Sequence, residues 1–207
     1  MNKKPEIVYV VDDDEAVRDS LTWLLESNGY TVKCQPSAER FLQALQGDHK
    51  ETVSCLILDV RMPGMSGLEL QERLLAEGIP MPISFITGHG DVSMAVSTMK
   101  KGAVDFIEKP FKESELKVLV EKMLARARID YAKADTQKNT QNLLSKLTGR
   151  EKQVLERIVA GRLNKQIADD LNISIKTVEA HRANIMEKLN VNTVADLLRL
   201  ALSESNN

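Results

Sequence analysis

Short apolar runs alternate with helix-like periodicity from Glu6 to about Met123. Five apolar runs are predicted to be strands, and they lie near residues 7–11, 31–35, 55–59, 83–87 and 106–109. In the segments between them, apolar residues recur at helical spacing, which predicts amphipathic helices. Strands and helices in alternation are typical of βα units. The pattern therefore predicts an α/β domain with a doubly wound, five-stranded parallel sheet.

The pattern changes after this domain. From Glu113 to Leu147 the sequence contains neither Gly nor Pro, and apolar residues become scarce beyond Arg126. We expect the last helix of the α/β domain to continue here as a polar helical linker. Thr148 and Glu151 then form the pattern of a capping box, which marks the start of a new helix.

A small all-α domain is predicted after the linker. Beyond its first helix, which is expected to stop at Gly161, helices are predicted at Asn164–Leu171, Ile175–Leu189 and Thr193–Leu202. The first two of these are separated by a tight turn at Asn172, which is typical of a helix-turn-helix. The predicted domains are residues 1–123, a helical linker at 124–143 and a helix-turn-helix domain at 144–207.

Composition and charge exclude few functional classes. Of the 207 residues, 43% are apolar and 28% charged, and the net charge is −2. From Leu144 to the end, ten Lys and Arg stand against eight Asp and Glu, so this part carries a net charge of +2. The positive excess favours a nucleic-acid partner only weakly, since free-standing DNA-binding domains are often more basic.

Cys34 and Cys55 both fall in apolar strands, so buried thiols are expected there instead of a disulfide or a metal site. Free thiols fit a reducing cytoplasm. No apolar stretch approaches the length of a membrane span, and the start of the chain does not have the pattern of a signal peptide. We therefore expect a cytoplasmic protein that does not enter a membrane. His49 and His89 are isolated, and neither is expected to bind a metal.

Polar side chains follow the predicted strands at the points where the strands end. Asp12 and Asp13 follow the first strand, Asp59 ends the third, Thr87 ends the fourth and Lys109 ends the fifth. Because sites in open parallel sheets form just outside the carboxyl ends of the strands, we expect these residues to converge. Clustered carboxylates repel one another and need a cation, and oxygen ligands favour Mg²⁺. The sequence thus predicts a magnesium-dependent phosphoryl-transfer site.

Two groups of motifs resemble known families. Val11–Asp14, Leu58–Pro63, Thr87–Gly90 and Lys109–Phe111 resemble the markers of the response-regulator receiver family. Leu147–Glu151, Asn164–Ala168 and Thr177–Arg182 resemble the LuxR/NarL-type helix-turn-helix. The receiver motifs are most similar to those of the FixJ branch. The resemblance implies a phosphorylation-activated transcriptional regulator, an activator by analogy with that branch, and not an enzyme.

The receiver resemblance also implies a role for each strand-end residue. Asp59 accepts a phosphoryl group from a sensor histidine kinase. Mg²⁺ is held by Asp13, Asp59 and the backbone carbonyl of Arg61, and by Asp12 mainly through a bound water. Lys109 pairs with Asp59 before the transfer and with a phosphoryl oxygen after it.

A switch made of Thr87 and Phe106 is implied by the same resemblance. The Thr87 hydroxyl turns toward the phosphoryl group, and Phe106 turns into the space that it vacates. Phosphorylated chains are then expected to form a homodimer through the face of the fourth helix, the fifth strand and the fifth helix. The peptide bond before Pro110 is implied to be cis. Promoter DNA and RNA polymerase are the implied partners downstream.

The stretch Ile175–Leu189 is the candidate recognition helix. At helical spacing, Val178, Ile185 and Leu189 share one face and should pack on the other helices. Small side chains on the opposite face would let the helix enter a major groove. The predicted DNA-contacting residues are Asn164, Lys165, Lys176, Thr177, Glu179, Ala180, Arg182, Ala183, Asn184 and Lys188.

Two members of this set have alternative interpretations. Arg182 falls within the apolar arc of the helix, so it could form a structural ion pair or snorkel toward a phosphate instead of contacting a base. Glu179 could accept a hydrogen bond from cytosine N4 or remain a solvated charge.

Two other functional classes compete with a transcriptional regulator. The first is a Mg²⁺-dependent phosphatase with Asp59 as its nucleophile, but no insertion between the short βα units would form a substrate pocket. Such a catalyst would turn over phosphoesters steadily, whereas a receiver stops near one phosphoryl group per chain. The second is a LuxR-type sensor of small molecules. An aromatic content of 4% and the five βα units argue against an apolar ligand cavity.

Overall fold

The alternating pattern forms the predicted α/β unit in this computed structural model, which describes residues 5–45, 52–88 and 92–205. Its strands are β1 (Glu6–Val11), β2 (Thr31–Gln35), β3 (Val53–Asp59), β4 (Ile83–Thr87) and β5 (Asp105–Glu108). Its helices are α1 (Glu15–Ser27), α2 (Ala38–Leu45), α3 (Gly67–Ala76), α4 (Val92–Lys100) and α5 (Glu113–Ser145). The helices that follow are α6 (Gly149–Val159), α7 (Asn164–Leu171), α8 (Ile175–Leu189) and α9 (Val194–Ser205). The expectations for His49 and His89 concern positions outside these described residues.

The five strands form one parallel sheet in the order β2-β1-β3-β4-β5. Alternate residues of β1 enter two apolar clusters, one on each face of the sheet. Tyr9 packs with Phe41 of α2 in the first cluster, and Val8 packs with Leu21 and Leu116 in the second. The strand order reverses between β1 and β3, and in open α/β sheets this is the point where ligands bind. The fold therefore brings the ends of β1 and β3 together.

Helix α5 extends beyond the end of the α/β domain to which its first half belongs. It runs without interruption from Glu113 to Ser145, so the segment predicted as a linker is helical. Leu124 and Ala127 are buried in the second apolar cluster, beyond the boundary predicted at residue 123. Arg128 also forms a bidentate ion pair with Glu6 at the start of β1, with nitrogen–oxygen distances of 2.9 and 2.8 Å.

The chain divides into two compact units, 1–131 and 132–207. The contacts of Leu124, Ala127 and Arg128 belong to the first of these units. The three predicted domain ranges stay a prediction, and the packing of the first unit continues past residue 123. Within the part of the chain that the structure describes, no helix is long and apolar enough to cross a membrane.

The second unit contains helices α6 to α9 around its own apolar cluster. Thr148 and Glu151 form the predicted capping box of α6. Asn172 takes a left-handed conformation at the end of α7, with φ of 50°, and Ser174 caps α8 by accepting a hydrogen bond from the Thr177 N–H. The predicted bounds of α7 and α8 are thus confirmed. The last helix begins at Val194, because the residue before it caps the helix instead of entering it.

Candidate functional site

The carboxyl ends of three strands meet around one ammonium group. Asp59 is the last residue of β3, Asp12 follows β1 directly and Lys109 follows β5 directly. Lys109 Nζ lies 2.7 Å from Asp12 Oδ2 and 3.1 Å from Asp59 Oδ1. The side chains of Asp12 and Asp59 are almost buried, whereas that of Lys109 is partly open to solvent. Two carboxylates therefore share one cation at the edge of the sheet.

Burial and the ammonium act in opposite directions on these groups. Burial raises the pKa of Asp59, and the hydrogen bond and charge of Lys109 offset only part of that effect. Burial also works against a charge on Lys109, but Asp12 and Asp59 together raise its pKa above the ordinary value. Asp59 and Lys109 thus each oppose the effect of burial on the other, and a new ligand for the ammonium must compete with both carboxylates.

The predicted metal ligands differ in their exposure and in their hydrogen-bond partners. Asp13 is exposed, and its carboxylate makes no hydrogen bond or ion pair with the described residues. The Arg61 N–H donates to Asp59 Oδ2 over 2.7 Å. Within the described ranges no three His, Cys, Asp or Glu side chains are grouped as a metal site, and the ammonium of Lys109 bridges Asp12 and Asp59 instead. The donors at this edge are nevertheless all oxygen atoms, so their chemistry fits Mg²⁺.

The loop after Asp59 is held by residues that sequence reasoning did not single out. Gly67 begins α3 so close to β3 that a Cβ atom there would lie 2.1 Å from the Asp59 carbonyl oxygen. Glu39 of α2 accepts a hydrogen bond from the Met65 N–H over 2.9 Å. On the other side of the site, Arg18 donates to the Asp12 carbonyl over 2.8 Å. The close approach of Gly67 to Asp59 depends on how α3 packs.

The two predicted switch residues lie beside this site on neighbouring strands. Thr87 is buried at the end of β4, and its carbonyl accepts a hydrogen bond from the Lys109 N–H over 2.7 Å. Phe106 of β5 is half-buried, with its ring centroid 6.5 Å from that of Phe85. The peptide bond before Pro110 is cis, as the resemblance implied.

The recognition-helix candidate presents the predicted polar face to solvent. Val178, Ile185 and Leu189 are buried in the apolar cluster of the second unit. Asn164 and Arg182 are half-buried. The exposed members of the predicted set are Lys165, Lys176, Thr177, Glu179, Ala180, Ala183 and Asn184. This face of α8 combines small, polar and charged side chains, and the start of α7 adds Lys165.

Lys188 does not belong with that exposed face. Its ammonium lies 2.7 Å from Glu151 Oε2, and the Glu151 side chain is only 4% exposed. Because an unpaired buried carboxylate is costly, this pairing stabilises Glu151. The contact of Lys188 with DNA stays a prediction, and the pairing gives its ammonium a second role inside the domain.

Comparison with known proteins gives the same two-part division. Residues 8–121 match the response regulator receiver domain, and residues 145–201 match the luxR family of bacterial regulatory proteins. The transcriptional regulatory protein FixJ of Bradyrhizobium diazoefficiens is 43% identical over 195 residues, which cover 94% of each chain. The response regulator protein TodT of Pseudomonas putida F1 is 43% identical over 200 residues, covering 97% of this chain and 87% of TodT.

A solved structure of the response regulator StyR is 46% identical, with a TM-score of 0.83, and the match covers 97% of this chain and 99% of StyR. FixJ is named as a transcriptional regulatory protein and TodT as a response regulator, and this chain carries a receiver region followed by a LuxR-type region. The chain therefore belongs to the FixJ/LuxR family of response regulators, which are phosphorylation-dependent transcriptional regulators.

Proposed function

We propose that Asp59 is the phosphoryl acceptor through which a sensor histidine kinase controls DNA binding by the second unit. The observation that carries this proposal is the pairing of Lys109 with both Asp12 and Asp59. An Asp59 carboxylate oxygen attacks the phosphorus atom of a phosphohistidine, a new P–O bond forms, and the P–N bond breaks with release of the imidazole. Lys109 then exchanges its bond to Asp59 for one to the transferred phosphoryl oxygens.

Mg²⁺ is part of this proposal. Asp13, Asp59 and the carbonyl of Arg61 would hold the ion directly, and Asp12 would hold it mainly through a bound water. When bound, the ion supplies positive charge that neutralises the phosphoryl oxygens during transfer. The exposed Asp13 carboxylate is available to bind the ion, since it has no other partner among the described residues.

The acceptor role is tested by the intact mass of the protein after treatment with acetyl phosphate, with and without Mg²⁺. We expect one Mg²⁺-dependent phosphoryl adduct on the wild type and none on Asp59→Asn. Undiminished labelling of Asp59→Asn would contradict the assignment. Continuous release of phosphate far beyond one equivalent per chain would favour the alternative of a phosphatase, so the same experiment tests our proposal that the chain is not an enzyme.

We further propose that the phosphorylated chain dimerises through the face of α4, β5 and α5. Val96 and Met99 of α4 and Val118 of α5 are large apolar side chains exposed on these helices. A groove of about 640 Å³ between β5 and α5 includes Phe106 and Val118 in its lining. Exposed apolar groups of this kind are typical of interaction surfaces. Sedimentation that shows a monomer before and after full phosphorylation would refute this dimer.

Resemblance to FixJ supports the remaining proposals. The phosphorylated dimer binds promoter DNA as an activator and acts through RNA polymerase in the cytoplasm. The free thiols of Cys34 and Cys55 are consistent with a reducing compartment. Binding to a two-fold DNA site would follow from the symmetry of such a dimer.

A further inference from the structure

We infer that the Glu151–Lys188 ion pair is a positioning device for DNA recognition, which fixes the last turn of α8 on the first turn of α6. In this role Lys188 supports DNA binding by holding α8 in place and does not itself contact the DNA. This inference rests on the proposed use of α8 as the recognition helix. It assigns a role to two residues outside the exposed face of that helix.

The pair is built around a single carboxylate oxygen. Glu151 Oε2 accepts hydrogen bonds from the Thr148 N–H over 2.7 Å, from the Thr148 hydroxyl over 2.9 Å and from Lys188 Nζ over 2.7 Å. The Thr148 hydroxyl in turn accepts a hydrogen bond from the Glu151 N–H over 3.3 Å. The capping box of α6 and the ammonium of α8 therefore share one acceptor, and the carboxylate that caps α6 also anchors the end of α8.

The charges also suit the helix ends at which they lie. Glu151 is in the first turn of α6, where the helix dipole favours an anion. Lys188 is in the last turn of α8, where the dipole favours a cation. The Glu151 carboxyl has a pKa lowered to about 2, with the hydrogen bond from Lys188 as the largest cause. The Glu151 carboxyl is therefore ionised throughout the range in which a DNA-binding protein works.

The ion pair adds a directional interaction to the packing of α8. The buried residues Val178, Ile185 and Leu189 hold the helix through apolar contacts, which are not directional. A buried or half-buried ion pair has a defined geometry, and such pairs can specify one arrangement of helices among several. Ala180 and Ala183 are exposed on the face proposed to enter the groove, so a small shift of α8 along its axis would misplace them.

The test is DNA binding by the full-length protein carrying Lys188→Met, Glu151→Gln or both changes. The probes are a duplex that the wild type selects from a random library and a scrambled duplex of the same length. Each single change should weaken binding to the selected duplex about tenfold and leave the scrambled duplex nearly unaffected. The double variant should bind no more weakly than the singles, since both remove the same interaction.

Salt dependence separates this role from a phosphate contact. The slope of log affinity against log salt should not change for Lys188→Met, whereas Lys165→Met, which removes an exposed lysine of α7, should reduce it by about 1. Lys188→Arg, which keeps the charge, should retain most of the selected binding. Circular dichroism at the assay temperature confirms that each variant is folded, and Glu151→Gln provides the test if Lys188→Met is not.

Three results would overturn the inference. A reduced salt slope for Lys188→Met, with equal weakening on both duplexes, would make Lys188 a phosphate contact. A lower melting temperature for Glu151→Gln with unchanged affinity for the selected duplex would make the pair merely structural. Additive losses in the double variant would separate the two residues. A wild type that selects no duplex at all would instead contradict the proposed function of α8.

Discussion

Lys109 Nζ lies 2.7 Å from Asp12 Oδ2 and 3.1 Å from Asp59 Oδ1, so one ammonium balances two nearly buried carboxylates. The three residues come from the ends of three strands that are distant in the sequence. Burial raises the pKa of Asp59, and the hydrogen bond and charge of Lys109 offset part of that rise.

Removal of this ammonium should destabilise the first unit in a pH-dependent manner. Lys109→Met leaves Asp12 and Asp59 facing each other, so we expect the free energy of unfolding to fall by about 1–3 kcal/mol at pH 8. The pKa of Asp59 should rise further, so the folded variant binds protons more readily than the unfolded chain. The loss should therefore shrink as the pH is lowered.

Chemical denaturation at pH 8 and pH 5 measures this difference between Lys109→Met and the wild type. Lys101→Met is the control, because it removes an exposed ion pair with Glu72 and should have little effect. An equal loss at both pH values would show that the carboxylates do not repel each other in the variant.

A side chain at position 67 should disturb the end of β3. The Cβ of Gly67→Ala would lie 2.1 Å from the Asp59 carbonyl oxygen, so backbone must move. We expect a destabilisation of about 1–3 kcal/mol, which is typical of overpacking, together with slower phosphoryl acceptance from acetyl phosphate. Gly149→Ala is the matched control, because nothing lies within 4 Å of the added Cβ there. Equal melting temperatures for the two variants would contradict this interpretation.

The exposed face of α8 is predicted to contribute to DNA affinity. Lys176 is exposed near the start of that helix, so Lys176→Ala should weaken DNA binding and lower the salt slope by about 1. Lys117→Ala removes an exposed lysine of the first unit and should change neither quantity. Fluorescence anisotropy over a range of salt concentrations measures both. Unchanged affinity and slope for Lys176→Ala would remove this residue from the proposed contacts.

Acid should weaken the second unit through Glu151. Its carboxyl has a pKa of about 2 in the folded chain against an ordinary value of 4.5, so the folded state holds fewer protons. The stabilisation is fully present above about pH 4.5 and is lost as the pH falls toward 2. The difference in melting temperature between the wild type and Glu151→Gln should shrink over that window.

Glu179→Gln is the control for this comparison, because Glu179 is exposed on α8 and has no described partner. Its melting temperature should follow that of the wild type at each pH. A constant difference between the wild type and Glu151→Gln from pH 7 to pH 3 would mean that the carboxylate does not stabilise the domain through its charge.

Local patterns predicted most of the fold, because strands, caps and helix faces depend on neighbouring residues. The bounds of β2, α7 and α8 follow from apolar periodicity and from turn and cap residues such as Ser174. Asp12, Asp59 and Lys109 could be placed together because parallel strands end at one edge of the sheet. The sequence therefore predicted where the candidate phosphoryl site lies.

Contacts between distant segments were not predictable in the same way. Nothing near Lys188 in the sequence indicates that Glu151 lies beside it, and helical spacing alone puts Lys188 next to exposed residues. The approach of Gly67 to Asp59 likewise depends on the packing of α3. The continuation of the packed core to Ala127 depends on the match between α5 and the sheet, which amino-acid composition does not reveal.

The length of the packed part of α5 decides where this protein can be truncated or joined to a different domain. A receiver fragment that ends at residue 123 would lose the buried side chains of Leu124 and Ala127 and the ion pair between Arg128 and Glu6. Such a fragment would expose apolar surface and would tend to aggregate. In a chimeric regulator that carries a different output domain, the junction belongs after Tyr131, where the first compact unit ends.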